Sequence, residues 1–222
     1  MYLIGIDDAG RGPLIGPMIL AGVLLDKNIE TSLKKYNIKD SKQLRHSKRI
    51  ELSKIIKESA LNYYIVKAIP EQIDSAINSK INLNTLEAIK TAEIINNLNN
   101  KKEKIKVIVD CPSVNTNAWK KTLLNFIEDM ENLTIICEHK ADVNYLSVSA
   151  ASILAKVARE EEIERLKEKY GDFGSGYPSD PLTQDFLKTR GKKWKNSGLF
   201  RKSWQTWKEL FPEKDQASLD AF

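Results

Sequence analysis

Residues 2–25 read YLIGIDDAGRGPLIGPMILAGVLL, and their pattern predicts the start of a β-sheet. Tyr2 to Asp7 is a short apolar run that ends in two acids, which is typical of a buried strand delivering carboxylates at its end. A turn rich in glycine and proline, Gly10 to Pro17, leads into a second apolar run from Met18 to Leu25. Because the turn is short, the two strands are predicted to form an antiparallel hairpin rather than a crossover.

Further strands are predicted downstream of the hairpin. Asn62 to Ile69 predicts a third strand, which Pro70 stops. The short apolar runs Ile105 to Asp110 and Leu133 to Cys137 flank an amphipathic helix around Trp119 to Ile127. This order is expected for two parallel strands joined by a crossover, so the sheet is predicted to be mixed.

Two helices are predicted from apolar periodicity and capping residues. Asn84, with Glu87 three residues later, predicts the start of a helix that runs to Leu98. From Asn144 to about Tyr170, apolar residues recur with helical spacing and predict a long helix with one buried face. These residues are Leu146, Ala150, Ile153, Leu154 and Val157.

The predicted elements divide the chain into three parts. Residues 1–170 are predicted to form an α/β core. A Gly/Pro loop and short helices rich in Lys, Arg and Trp predict a basic and aromatic helical subdomain over residues 171–211. Residues 212–222 are predicted to be a flexible tail.

Composition restricts the class of protein. The chain has 222 residues, 41% hydrophobic and 29% charged, as expected for a globular protein with a sizeable core. Its longest apolar run is too short to span a bilayer, and Asp7 and Asp8 precede any basic residue, so neither a membrane protein nor a secretory signal is predicted. Cys111 and Cys137 fit a reducing compartment, and we expect a cytoplasmic monomer. The net charge of +5 favours an anionic partner.

Acids follow several of the predicted strands: Asp7 and Asp8 the first, Asp110 the fourth and Asp142 the fifth. Taken singly, Asp110 could form a turn and Asp142 could cap the next helix. Together, four acids without clustered His or Cys predict a site for Mg²⁺ or Mn²⁺ and phosphoryl-transfer chemistry with two ions. The only histidines, His46 and His139, show no partnership, so histidine-based ribonuclease chemistry is not predicted.

Several segments, in order, resemble the type 2 ribonucleases H, also called ribonuclease HII. Residues 5–13, GIDDAGRGP, resemble the family's N-terminal signature, and residues 40–44, DSKQL, its DSK segment. Asp110 after Ile108-Val109 and Asp142 after Lys140-Ala141 resemble its third and fourth acids. Residues 149–159, SAASILAKVAR, and residues 174–181, GSGYPSDP, are similar to the archaeal version.

The resemblance implies a ribonuclease H-like core and hydrolysis of the RNA strand of RNA/DNA hybrids, including at ribonucleotides embedded in duplex DNA. The cut would leave 3′-hydroxyl and 5′-phosphate ends, with Asp7, Asp8, Asp110 and Asp142 holding the metals. The turn of Gly10, Arg11 and Gly12 would approach the ribose 2′-hydroxyl, the group that distinguishes RNA from DNA. Tyr177 corresponds to the family's junction-stacking tyrosine. The alternative for the turn is a simple hairpin connection.

One position departs from the family pattern. The family usually has Glu directly after its first Asp, whereas this chain has Asp8. The oxygen ligand is kept, but the side chain is one methylene shorter. This difference bears on activity and metal preference, and it leaves open a second reading, a hybrid-binding protein weakened in catalysis by Asp8.

Basic residues supply candidate phosphate contacts. The segment from Lys188 to Lys208 has eight Lys or Arg and no acids, with four aromatic residues between them. It suits a surface that follows a phosphate backbone, although the aromatics could instead pack the subdomain core. Further candidates are Lys42, Arg45, Lys156 and Arg159.

The end of the sequence resembles the peptide with which proteins bind the sliding clamp PCNA. Gln216, Leu219 and Phe222 have the required spacing, so that one turn places the two apolar side chains on one face. The match is partial, because the usual second aromatic is missing. The alternative is a frayed terminus.

Another nuclease of the same broad fold, such as a junction resolvase, is a further reading, since it would also use acids and metal. The Gly-Arg-Gly turn and Tyr177 argue against it.

Overall fold

A mixed five-stranded sheet forms the centre of the molecule. The computed structural model describes residues 2–38 and 44–212. Its strands are β1 (Tyr2–Ala9), β2 (Met18–Asp26), β3 (Asn62–Ala68), β4 (Ile105–Asp110) and β5 (Leu133–Glu138). They lie in the order β3-β2-β1-β4-β5. The pairs β1–β2 and β2–β3 are antiparallel, whereas β1–β4 and β4–β5 are parallel, so the predicted hairpin and mixed sheet are confirmed.

Helices cover the sheet and form the C-terminal region. They are α1 (Lys27–Leu33), α2 (His46–Ser59), α3 (Pro70–Asn78), α4 (Leu83–Leu98), α5 (Thr116–Leu124), α6 (Ala141–Asn144), α7 (Leu146–Tyr170), α8 (Pro181–Arg190) and α9 (Gln205–Leu210). Among the described helices, none combines the length and the apolar character needed to cross a membrane.

Two predicted helix boundaries were wrong. The N-cap of α4 is Asn82, which accepts from the Thr85 amide at 3.0 Å, rather than Asn84. The Asn84 side chain instead accepts a hydrogen bond from Arg11. The helix predicted from Trp119 begins three residues earlier, at Thr116, because Asn115 caps it, and it ends at Leu124. The sequence patterns also left α1, α2, α3 and α6 unpredicted.

Each face of the sheet is buried by a different helix layer. On one face Ile4, Ile6 and Leu20 pack with residues of α4 and α5. On the other face Ile19 and Val23 pack with α7 and α2. All five apolar residues predicted to form the inner face of α7 are buried, so that prediction is confirmed. The predicted long helix begins at Leu146, two residues after the predicted start.

Gly5 sets how closely α7 approaches the central strand. A Cβ atom at Gly5 would lie 2.1 Å from the backbone carbonyl carbon of Ser147, far inside van der Waals contact. The backbones of β1 and α7 therefore touch directly. This contact holds the start of α7 against β1, and α6, just before it, lies against β4.

A third apolar cluster joins the hairpin turn to the C-terminal helices. Leu14 and Ile15, from the turn after β1, pack with buried aromatic residues of the C-terminal region. These are Tyr170, Phe173, Phe186, Phe200 and Trp207. The carbonyl of Gly176 accepts from the amides of Leu14 and Ile15 at 2.8 and 3.2 Å. The turn is therefore held between the sheet and the C-terminal region.

Candidate active site

Three of the four predicted acids meet at one edge of the sheet. Asp7 lies near the end of β1, Asp110 is the last residue of β4, and Asp142 lies in α6. Because β1 and β4 are parallel neighbours, their carboxyl ends share that edge. One oxygen of each carboxylate lies within 4.8 Å of the others, and Asp7 and Asp142 are buried.

Local hydrogen bonds hold Asp142 against the strand end. Asp110 accepts from the amide of Ala141 at 3.0 Å, which fixes α6 over the end of β4. The hydroxyl of Ser149, in α7, donates to the backbone carbonyl of Asp142. Lys140, just before α6, adopts a left-handed conformation with φ of 58°, so the chain turns sharply between β5 and α6. The sequence showed the acid but not this turn.

The electrostatics of the three acids favour a bound cation. Burial, followed by the neighbouring Asp8 carboxylate, raises the pKa of Asp7 to about 8, while a hydrogen bond from Ser152 opposes the rise. The ammonium of Lys156 donates to the hydroxyl of Ser152 at 2.9 Å, which connects a positive charge to Asp7. Carboxylates held this close repel one another unless a proton or a metal ion separates their charges. The all-oxygen donor set fits a hard divalent cation.

Asp8 is not part of this group of three. Successive residues of a strand point to opposite faces, so Asp8 is directed away from Asp7, toward α4. There it lies near Glu87, and burial followed by the charge of Glu87 raises the pKa of Asp8 to about 7. Burial likewise raises the pKa of Glu87 to about 7. The sequence predicted Asp8 as a site residue but Glu87 only as a capping residue at the start of α4.

The Arg11 side chain is bound by α4. Its Nε donates to Glu87 Oε2 at 3.0 Å, and its Nη2 donates to Asn84 Oδ1 at 2.6 Å. Its guanidinium therefore holds the turn against the core. The predicted approach of the turn to substrate then involves the backbone of Gly10 to Gly12.

Tyr177 lies beside this turn. A Cβ atom at Gly12 would lie 3.3 Å from Tyr177 Cε1, and the Tyr177 ring is 42% exposed. The guanidinium carbon of Arg159 lies 5.8 Å from the ring centroid. The Arg159 side chain also contacts Gly10, where a Cβ atom would lie 2.1 Å from Nε. Residues predicted from two distant segments are thus brought together around the turn.

The remaining candidates are placed as follows. Lys156 lies at the acids through Ser152. Arg45 is exposed at the N-cap of α2, and its side chain forms no hydrogen bond with any described residue. Lys42, Gln216, Leu219 and Phe222 lie outside the described residues.

In the basic C-terminal segment, aromatic residues pack in the core while most of the basic side chains are exposed. Phe200 and Trp207 are buried in the third cluster, with Trp194 and Trp204 packed against it. Six of the eight basic side chains are exposed, Lys202 is half-buried, and Arg201 is fully buried. Its only sequence signal was its place among these aromatics.

The family model described as Ribonuclease HII matches residues 4–207. The chain belongs to the ribonuclease HII family. Ribonuclease HII from Methanocaldococcus jannaschii is 41% identical over 99% of both chains. Among solved structures, ribonuclease H2 from Pyrococcus horikoshii OT3 matches with a TM-score of 0.85 and 37% identity, over 95% of this chain and 97% of that one. The PCNA:RNase HII complex from Archaeoglobus fulgidus matches with a TM-score of 0.80 and 39% identity over the whole of both chains.

The ribonuclease HII family consists of metal-dependent endoribonucleases, so this chain is an endonuclease of the ribonuclease H type. The predicted α/β fold with a ribonuclease H-like sheet is confirmed by these structural matches. The junction resolvase reading is not favoured.

Proposed function

We propose that the chain hydrolyses the RNA strand of RNA/DNA hybrids and also cuts beside single ribonucleotides embedded in duplex DNA. The observation that carries this proposal is the proximity of two groups of residues. The carboxylates of Asp7, Asp110 and Asp142 converge at the end of β1, and the next residues of the chain form the turn that contacts Tyr177. A site for phosphate chemistry is therefore followed directly by a surface for reading a sugar and its neighbouring base.

The acids are suited to hold two divalent ions, Mg²⁺ or Mn²⁺, which, when bound, activate water and neutralise charge on the phosphate. Asp7, Asp110 and Asp142 supply the converging oxygens. Asp8, on the opposite face of β1, supplies a further carboxylate whose charge interacts with Asp110. The exposed ring of Tyr177 stacks on a nucleotide at the junction, and the turn backbone from Gly10 to Gly12 approaches the 2′-hydroxyl. The products carry 3′-hydroxyl and 5′-phosphate ends.

Arg159 is suited to orient a phosphate beside the stacked base. Its guanidinium lies over Tyr177 and beside Gly10, and its Nε and Nη2 have no hydrogen-bond partner in the described chain. Lys156 neutralises charge at the acids, and the exposed Lys and Arg of residues 188–208 follow the duplex backbone. Arg45 and Lys42 complete the proposed set of phosphate contacts.

A cleavage assay tests the proposal. The substrates are a duplex with a single ribonucleotide, a continuous RNA/DNA hybrid, the matching all-DNA duplex and an all-DNA four-way junction. Each is incubated with chelator, Mg²⁺ or Mn²⁺. We expect cuts only in the two substrates that contain RNA, only with a divalent ion, and with 5′-phosphate at the downstream end.

Three other results would contradict the proposal. Cleavage of the four-way junction in preference to the hybrid would support the resolvase reading. Tight hybrid binding with no cleavage in Mn²⁺ would support a binding protein weakened by Asp8. Cleavage in chelator would exclude the metal-dependent mechanism.

We also infer that residues 216–222 bind a sliding clamp of the PCNA type. The support is the partial motif formed by Gln216, Leu219 and Phe222, together with the similarity to a ribonuclease HII solved in complex with PCNA. Docking on a clamp would raise the local concentration of the nuclease on newly made duplex. We therefore propose that the chain acts in DNA replication and repair.

Calorimetry with the cognate clamp tests this inference. We expect weak binding by the intact chain and none by a Leu219→Ala, Phe222→Ala double variant whose cleavage of free substrate is unchanged. A Ser218→Ala variant, which leaves the motif intact, is the matched control. Equal affinity of the intact chain and the double variant would disprove the inference.

We further propose that the chain is a cytoplasmic monomer, consistent with its free cysteines, and that residues 171–211 form a distinct helical subdomain. The support is that the buried aromatic residues of this region pack in the third cluster, with Leu14, Ile15 and the end of α7, and not in the two clusters of the sheet.

A further inference from the structure

The side chain of Arg201 lies inside the molecule, in contact with the backbone carbonyls of the Gly10–Gly12 turn. It is 0% exposed. Its Nη2 donates to the carbonyl of Gly10 at 2.6 Å, its Nη1 to that of Arg11 at 2.7 Å, and its Nε to that of Gly16 at 3.0 Å. The three bonds join residues 185, 190 and 191 positions apart, and all of them end in the hairpin turn.

Buried arginines usually pair with a carboxylate, but Arg201 binds main-chain carbonyls instead. Within the described residues, no carboxylate lies at ion-pair distance from it. The planar fork of donors matches several carbonyls that point toward a common centre. The guanidinium loses its hydrogen bonds to water when the chain folds. The carbonyls replace those bonds only if the turn holds this conformation, so Arg201 selects the turn geometry.

Trp204 adds a fourth bond from the same segment. Its Nε1 donates to the carbonyl of Gly12 at 3.0 Å, and the Arg201 guanidinium carbon lies 5.0 Å from its ring centroid. The backbone amide of Arg201 donates to the carbonyl of Leu14 at 2.9 Å. The carbonyls of Gly10, Arg11 and Gly12 are therefore all occupied by two side chains of the C-terminal region.

The amide side of the turn is left open. No described residue accepts a hydrogen bond from the backbone N–H of Arg11 or Gly12. With their carbonyls turned toward Arg201 and Trp204, these donors face away from the C-terminal segment. Glu87 and Asn84 fix the Arg11 side chain on the other flank.

We propose that Arg201 and Trp204 are positioning residues for ribonucleotide selection. By binding the carbonyls of the Gly10–Gly12 turn, they hold its amides in the orientation that a ribose hydroxyl requires. The C-terminal region then contributes to specificity from inside the molecule, as well as through its basic surface. This inference rests on the proposed function of the turn.

The effect should depend on substrate. In a continuous hybrid every nucleotide of one strand offers a 2′-hydroxyl. The duplex can therefore bind in many positions that place a 2′-hydroxyl at the turn, even when the turn is less well ordered. A single embedded ribonucleotide offers one register only, and small misplacements at reacting groups are costly. Affinity comes mainly from phosphate contacts elsewhere, so kcat should change more than KM.

The test compares Trp204→Phe and Arg201→Lys with the unmodified chain on both RNA-containing duplexes. Trp204→Phe keeps a ring over Arg201 and removes one donor, and Arg201→Lys keeps the charge and removes the fork. Trp194→Phe is the matched control, since Trp194 packs in the same cluster and its indole N–H bonds to no described residue. The readout is the ratio of kcat on the single-ribonucleotide duplex to kcat on the hybrid, because a misfolded fraction lowers both equally.

We expect Trp204→Phe to lower this ratio by about five- to tenfold, the effect of one hydrogen bond. Arg201→Lys should lower it further, with KM within about twofold, and Trp194→Phe should leave it unchanged. An unchanged ratio in Trp204→Phe would overturn the proposal, even if Arg201→Lys fails to fold. If the unmodified chain cuts neither duplex, the proposed function fails instead, so the two failures are distinguishable.

Discussion

Asp7 should be indispensable for cleavage but not for folding. Asp7→Asn keeps the shape of the side chain and removes charge from a buried site where the acids repel one another. We expect cleavage with saturating metal to fall by about two orders of magnitude or more. Thermal unfolding in chelator should be unchanged or shifted upward. Near-normal cleavage by the folded variant would show that Asp7 is not a ligand.

Asp8→Glu should increase turnover. Asp8 lies beside the three converging acids without joining them, and one more methylene would let its carboxylate extend around the strand edge. Metal titration by calorimetry should show tighter Mn²⁺ binding alongside a higher kcat. A lower kcat in the variant would mean that this site is adapted to the shorter acid.

Tyr177→Ala should affect junction cleavage more than binding. Stacking on a base contributes about 1–3 kcal/mol, so kcat on the single-ribonucleotide duplex should fall by about five- to 150-fold. The affinity for the hybrid should change little, because many phosphates hold the duplex. Tyr63→Ala, an exposed tyrosine on β3, is the control. Equal weakening of binding to DNA and hybrid duplexes would assign Tyr177 a structural role in its loop.

At the level of elements, the direct contact between β1 and α7 is required for the site. Gly5→Ala would place a methyl carbon 2.1 Å from the Ser147 backbone, and no side chain can move aside to admit it. We expect a loss of about 1–3 kcal/mol in the free energy of unfolding, from overpacking, together with reduced cleavage as α6 shifts. Urea unfolding measures the first effect. Wild-type stability would show that α7 can withdraw from β1 without cost.

The elements best predicted from sequence are those whose burial pattern is local. The strands from Tyr2, Met18 and Ile105 are short and mainly apolar, and the inner face of α7 has a clear helical period. The ends of α4 and α5 were less predictable, because Asn82, Asn84 and Asn115 are chemically equivalent as candidate caps. The Asn84 side chain accepts a hydrogen bond from Arg11, which lies 73 positions earlier in the chain.

The candidate site was predicted as a list of residues but not as an arrangement. Asp7, Asp110 and Asp142 could be grouped because each follows a strand. By contrast, Asp8 points to the opposite face of the sheet from Asp7, because side chains alternate between the faces up to the last residues of β1. Glu87 and Arg201 were missed because nothing local distinguishes a buried charge from a solvated one. Their roles depend on partners supplied by the fold.

At the level of the whole molecule, stability without metal should depend on pH. The pKa of Asp7 is raised to about 8, so the folded chain binds that proton more tightly than the unfolded chain does. The resulting stability is complete below about pH 4 and is lost as the pH rises toward 8. Asp8 and Glu87, whose pKa values are raised to about 7, act in the same direction.

We therefore expect Tm in chelator to fall between about pH 5 and pH 8, by about 2–4 °C per kcal/mol lost. Mg²⁺ or Mn²⁺ should reverse the fall, most strongly at high pH, because a metal binds the ionised acids. The slope should be smaller in Asp7→Asn. A flat pH profile in chelator would contradict the electrostatic account of the site.

The bonds between Arg201 and Gly10 join residues 191 positions apart, and this separation has a consequence for synthesis. The hairpin of β1 and β2 is local and is free to pair while the chain is still growing on the ribosome. The third acid arrives only with Asp142, and the bonds to the turn only with Arg201. A nascent chain would therefore carry a folded hairpin with no assembled cleavage site. Nuclease activity would begin only after Arg201 has been synthesised, so chains that stop before this residue would be inactive.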